Sequence, residues 1–167
     1  EFVKMIFDFN VAENMPNGTI VDSVSAIDPD QGRSGQITYA LDNSASSIPF
    51  TVFPSGQIIT RSTFDREDVP MYEFTVLAVD NGTLPLTSSV TVRVTITDKN
   101  DNKPIFSFPK ENFNNTIRIW NSLPIDSIIA TIQAFDYDYE ENGNVNFFII
   151  SGDDENMFYL NPSTGSL

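Results

Sequence analysis

Neither cysteine nor histidine occurs among the 167 residues, and these two absences exclude much chemistry. Without thiols there are no disulfides, no thiolate nucleophiles and no cysteine-based metal sites. Without imidazole there is no Ser-His-Asp machinery and almost no zinc chemistry. Basic residues are scarce as well: 9 Lys and Arg stand against 23 Asp and Glu, a net charge of −14. Phosphate recognition needs clustered positive charge, so nucleic acid and anionic membrane surfaces are poor partners. No 18-residue apolar run and no signal-peptide pattern is present, so the expectation is a soluble piece cut from a longer chain. What remains is a ligand set of carboxylate, amide and carbonyl oxygens, which suits hard cations.

With 40% hydrophobic residues the chain has enough apolar side chain for real cores, and their spacing is that of strands. Val90, Val92, Val94 and Ile96 alternate with Thr91, Arg93 and Thr95, and Tyr72, Phe74, Val76 and Ala78 with Glu73, Thr75 and Leu77. Ile37, Tyr39 and Leu41 follow the same rule, and no helical period is sustained. Short strands with frequent turn signals read as an all-β sandwich.

Internal repetition organises these strands. Displaced by 108 positions, residues 11–55 lie over 119–163 without a gap, placing Pro16 over Pro124, Ala26 over Ala134, Asp28 over Asp136, Asp30 over Asp138 and Gly35 over Gly143. Phe50 falls on Phe158 and Pro54 on Pro162. Two copies of one sandwich are therefore expected, the second incomplete, since Leu167 corresponds to Ile58 after one inserted residue.

The acids sort onto this repeat: Glu13 in "VAENMPNGT", Asp28 and Asp30 in "AIDPD", Asp65 and Glu67 in "FDRED", Asp80 in "AVDNG", Asp98 and Asp101 in "DKNDN". Each opens or closes a strand. Strand ends gather at the poles of a sandwich, and carboxylates within ~6 Å of one another repel unless a divalent cation offsets them. A single Asp-x-Asp or Asp-Arg-Glu is an ordinary polar turn; five such motifs placed on one 108-residue repeat, with Asp-x-Asp recurring at 136–138, are not.

On these motifs the chain resembles extracellular cadherin repeats, of a non-strand-swapping kind similar to protocadherins or Fat/Dachsous-like receptors. The resemblance implies tandem Greek-key β-sandwiches: a repeat at 1–98, a calcium-binding linker at 99–103 and a partial second repeat at 104–167. It implies about three Ca²⁺ ions at the 98–102 linker. The first would be held by Glu13, Asp65, Glu67 and Asp101; the second by Glu13, Glu67, Asp101, Asp98, the Lys99 carbonyl and Asp138. The third would take the Asn100 side chain, the Asn102 carbonyl, Asp136, Asp138 and the Asn142 carbonyl. Asp28, Asp30, Ser34 and Asp80 match positions that bind calcium at an upstream linker. Function is implied to be calcium-dependent adhesion, with another cadherin-type receptor on the same or an opposing cell as partner. The location implied is the outer face of the plasma membrane, in a single-pass parent.

Other readings fit less well. Ca²⁺ accepts six to eight oxygens at about 2.3–2.6 Å in flexible geometry, but an EF-hand starting at Asp136 would put Glu141 where Gly is required and Phe147 where Glu is required. A glycosidase pair is disfavoured by the crowding of further acids around every candidate, so no enzyme is expected. A carbohydrate-binding sandwich with structural calcium is the alternative, but it gives no reason for the 108-residue recurrence. Three sequons, at Asn17, Asn81 and Asn114, fit a glycosylated extracellular surface. The single Trp, Trp120, lies inside the second copy, away from the N-terminal position that strand swapping uses. Asn121 stands where the first copy has Glu13, so weaker calcium binding is expected at any joint after the second repeat.

Overall fold

The computed structural model describes residues 1–42, 48–110 and 115–167, and the chain forms two compact units, Glu1–Lys99 and Asn100–Leu167. The described residues contain strands and no helix. In the first unit these are β1 (Ile6–Ala12), β2 (Ile20–Ser23), β3 (Ile37–Leu41), β4 (Phe50–Val52), β5 (Gln57–Thr60), β6 (Met71–Asp80) and β7 (Thr87–Thr97). One sheet has the order β1-β7-β6-β3 and the other β2-β5-β4.

The alternation seen in the sequence explains the core. Val90, Val92, Val94 and Ile96 of β7 are all buried, as are Phe74, Val76 and Ala78 of β6, because a strand sends alternate side chains to one face. The second sheet supplies Phe50 and Ile58, both essentially without exposure. Phe50 is enclosed by three rings, Phe64 and Phe74 stacked at 5.1 and 5.2 Å and Tyr72 edge-on at 5.5 Å. Each fully buried side chain of this size stabilises the fold by roughly 1.5–3 kcal/mol.

Strand direction decides where the acids go. β1 runs parallel to β7, from Ile6↔Thr91 to Ala12↔Thr97, so both strands deliver their C-terminal ends to the same pole. β6 is antiparallel to β7, and its last residue, Asp80, pairs with Ile37 at the start of β3, at the opposite pole. The unit therefore carries acids at both ends.

The second unit has β8 (Ile105–Phe108) paired with β9 (Gln133–Phe135), plus a bridge between Thr131 and Ser166. Phe158, the counterpart of Phe50, is 44% exposed against 1% for Phe50. The difference follows from its partners: the rings that enclose Phe50 come from positions after Ile58, which have no counterparts in residues 100–167. It lies in an open apolar trough with Phe106, Ile132, Phe147, Leu160 and Leu167. Accordingly, Phe50→Ala should cost about 3–5 kcal/mol and Phe158→Ala within about 0.5 kcal/mol in urea unfolding of this chain; similar losses for both would contradict the assignment of the core.

Candidate metal centre

Glu13 and Asp98 are the residues that follow the parallel pair β1 and β7, and the ladder continues past the strands with Glu13 N–H donating to the Thr97 carbonyl at 3.0 Å. Glu13 is wholly buried. Its Oε2 accepts the Arg66 amide at 2.9 Å and its Oε1 the Lys99 amide at 2.7 Å, so one carboxylate ties together two segments distant in sequence. Asn14, at a φ of 59°, turns the chain immediately afterwards and donates its amide to the Phe64 carbonyl. Asn tolerates this left-handed conformation better than most residues.

The segment at 65–68 is held by Asp65, whose Oδ1 accepts the amides of Glu67 at 3.0 Å and Asp68 at 3.3 Å. Between Glu67 and Asp98 lies Arg66. Its Nη2 donates to Glu67 Oε1 and its Nε to Asp98 Oδ1, both at 2.6 Å. Glu67 offers an oxygen within 4.8 Å of one from Glu13, and likewise with Asp98. Burial pushes the Glu67 carboxyl above its usual range against the opposing pull of Arg66, and the neighbouring Glu13 charge adds to the rise. For Arg66, burial works against the charge, but the bonds to Asp98 and Glu67 outweigh it and raise the guanidinium further. Lys99 contributes through its amide, while its ammonium stays on the surface near Met15 Sδ.

In the second unit the carboxylates follow β9. Asp138 donates its amide to Asp136 Oδ1 at 3.0 Å, and Asp138 Oδ1 accepts both the Asn102 amide at 3.2 Å and its Nδ2 at 2.8 Å. Nδ2 also reaches Asp101 Oδ1 at 3.0 Å. Asp138 is only 7% exposed, and its Oδ2 is buried without a hydrogen-bond partner. A bare buried carboxylate oxygen is costly unless a cation or donor meets it, so the donor chemistry fits Ca²⁺. The loop closes through Asn142, whose amide donates to the Tyr139 carbonyl. Gly143 is required there: a Cβ would stand 2.3 Å from the Asp138 carbonyl oxygen.

The other pole of the first unit repeats this turn. The Asp30 amide donates to Asp28 Oδ1 at 2.8 Å, and a Cβ on Gly35 would stand 2.1 Å from the Asp30 carbonyl oxygen. Asp28, Asp30 and Asp80 line one cleft, whereas Ser34 is not among its lining residues. Asp80 accepts the Gly82 amide on Oδ1 and the Leu86 amide on Oδ2. Asn100 and Asp101 are exposed. Of the sequons, Asn17 and Asn81 are exposed and Asn114 lies outside the described residues. Motif reading passed over the double ion pair of Arg66 with Glu67 and Asp98; its one signal in the sequence is a cation flanked by two acids.

A sequence profile, the Cadherin domain, matches residues 7–97. The protocadherin-like wing polarity protein stan of Drosophila melanogaster is 36% identical over 167 residues, covering 99% of this chain and 5% of that protein. Protocadherin-11 X-linked of Sus scrofa is 36% identical over 164 residues, 98% of this chain and 14% of that protein. The chain thus spans a small fraction of the length of these relatives. Among solved structures, Protocadherin Gamma B2 extracellular cadherin domains 3-6 superpose with a TM-score of 0.86 at 28% identity, covering 99% of this chain and 42% of that one. Mouse Cadherin-23 EC22-24 gives 0.78 at 30% identity, with 98% and 50% covered.

Glu13 is testable without any metal. Glu13→Ala removes the acceptor of the part-buried Arg66 and Lys99 amides, at about 0.5–1.5 kcal/mol for each bond. Urea unfolding in chelator should register that loss; an unchanged midpoint would contradict the bracing role.

Proposed function

The chain belongs to the cadherin family, and from that premise we propose that it is an extracellular piece of a calcium-dependent adhesion receptor whose repeats are joined through bound Ca²⁺. The protocadherin-like identity, the all-β fold and a role in adhesion in place of enzymatic chemistry agree with the relatives it matches. The observation that carries the calcium reading is the buried, unpartnered Oδ2 of Asp138. Ligand duty is assigned to Glu13, Asp65, Glu67, Asp98 and the Lys99 carbonyl from the first unit. Asn100, Asp101, Asn102, Asp136, Asp138 and Asn142 supply the remainder, with 99–103 as linker.

Seven of these residues bring side-chain carboxylates, and three divalent ions nearly balance them. Calcium then turns mutual repulsion into cohesion. Multi-carboxylate sites of extracellular modules bind at roughly 10⁻⁴–10⁻³ M, so the joint stiffens only where calcium is plentiful. The partner we assign is a second cadherin-type receptor, on the same or an opposing cell, with the parent chain anchored in the plasma membrane. Asp28, Asp30 and Asp80 are assigned to an upstream joint. Among the described residues no helix is long and apolar enough to cross a membrane.

Calcium at ten times the dissociation constant should stabilise the folded chain by about 1.4 kcal/mol per site, read as a rise in melting temperature that chelation reverses. No rise would refute the proposal. Asp101→Ala should weaken calcium uptake in calorimetry well beyond Asp154→Ala, which removes the same charge from an exposed loop. Equal affinities for the two variants would reject the assigned ligands.

A further inference from the structure

We propose that Arg66 is a positioning residue for calcium: its guanidinium pins one oxygen each of Glu67 and Asp98, presenting the second oxygens to the ions. The inference rests on the calcium reading given above and adds a residue that is not itself a ligand.

Two observations support it. The first is geometric. Glu67 follows β5 in a loop and Asp98 follows β7, yet Nη2 and Nε of one planar group reach both at 2.6 Å, with the Arg66 side chain only 15% exposed. A guanidinium offers several donors in a fixed fork, whereas an ammonium is a point charge on a flexible stem. Held this way, two like charges with oxygens within 4.8 Å of each other keep one arrangement before any ion arrives.

The second observation is that the same division of oxygens recurs where the donor is backbone or amide. Asp65 Oδ1 accepts the amides of Glu67 and Asp68, and Asp136 Oδ1 accepts that of Asp138. Asp138 Oδ1 takes both Asn102 donors while its Oδ2 has none. In these three a protein donor fixes one oxygen, whereas Glu13 accepts a backbone amide on each of its two. Glu67 and Asp98 fit this pattern with Arg66 as the donor.

The test uses the 167-residue chain with Arg66→Met and Arg66→Lys, reading Ca²⁺ affinity by calorimetry and unfolding in chelator by urea. Groups that orient metal ligands from behind are typically worth 10–100-fold in affinity, and Arg66→Met should weaken binding by that factor. Arg66→Lys, restoring the charge without the fork, should recover part of it. Unchanged affinity with only a lowered unfolding midpoint would make Arg66 a folding residue and overturn the proposal. Tighter binding by Arg66→Met would make it a competitor of calcium and overturn it equally. Should Arg66→Met fail to fold, Arg66→Lys decides alone, since affinity equal to the unaltered chain's rejects the fork. Absence of uptake by the unaltered chain would refute the calcium reading itself, an outcome distinct from all of these.

Discussion

The wholly buried carboxylate of Glu13 is the point to which the first unit is fastened at the pole where β1 and β7 end. A buried charge is tolerated only when it is hydrogen-bonded or paired, and Glu13 meets that condition by accepting the amides of Arg66 and Lys99, one on each oxygen. Those bonds draw the 64–68 loop and the end of β7 onto the end of β1. Parallel pairing of β1 with β7 makes the convergence possible, since in an antiparallel pair the two C-termini would lie at opposite ends. The acids of this pole are thus gathered by backbone geometry, against their mutual repulsion.

The fold uses the same economy at its other acids. Asp28 with Asp30, and Asp136 with Asp138, make one turn twice, each with the first carboxylate accepting the amide two residues on. In both turns a glycine five residues after the second Asp admits a backbone carbonyl where a Cβ would collide. Because the turn is built from short-range bonds, it needs little from the surrounding core. The same turn is therefore present in both units.

A module whose donor sets are formed by local turns and pinned oxygens presents ligands already arranged, so the ion is spared much of the ordering cost.

Much was determined by sequence alone. Alternation at Val90, Val92, Val94 and Ile96 named the buried face of β7 because the strand period is a local property, and the 108-residue recurrence placed Asp136 and Asp138 beside Asp28 and Asp30 as equivalents. Absent Cys and His and an excess of acids narrowed the ligand chemistry to oxygen before any coordinates. Tertiary structure decided what depends on contacts between distant segments. That Glu13 is the buried anchor, that Lys99 acts there through its amide, and that Asp138 keeps a bare oxygen are facts of strand direction and packing. Arg66 shows the limit most plainly: in the sequence it is one cation between two acids, and only the meeting of the 64–68 loop with the end of β7 turns it into a clamp on Glu67 and Asp98.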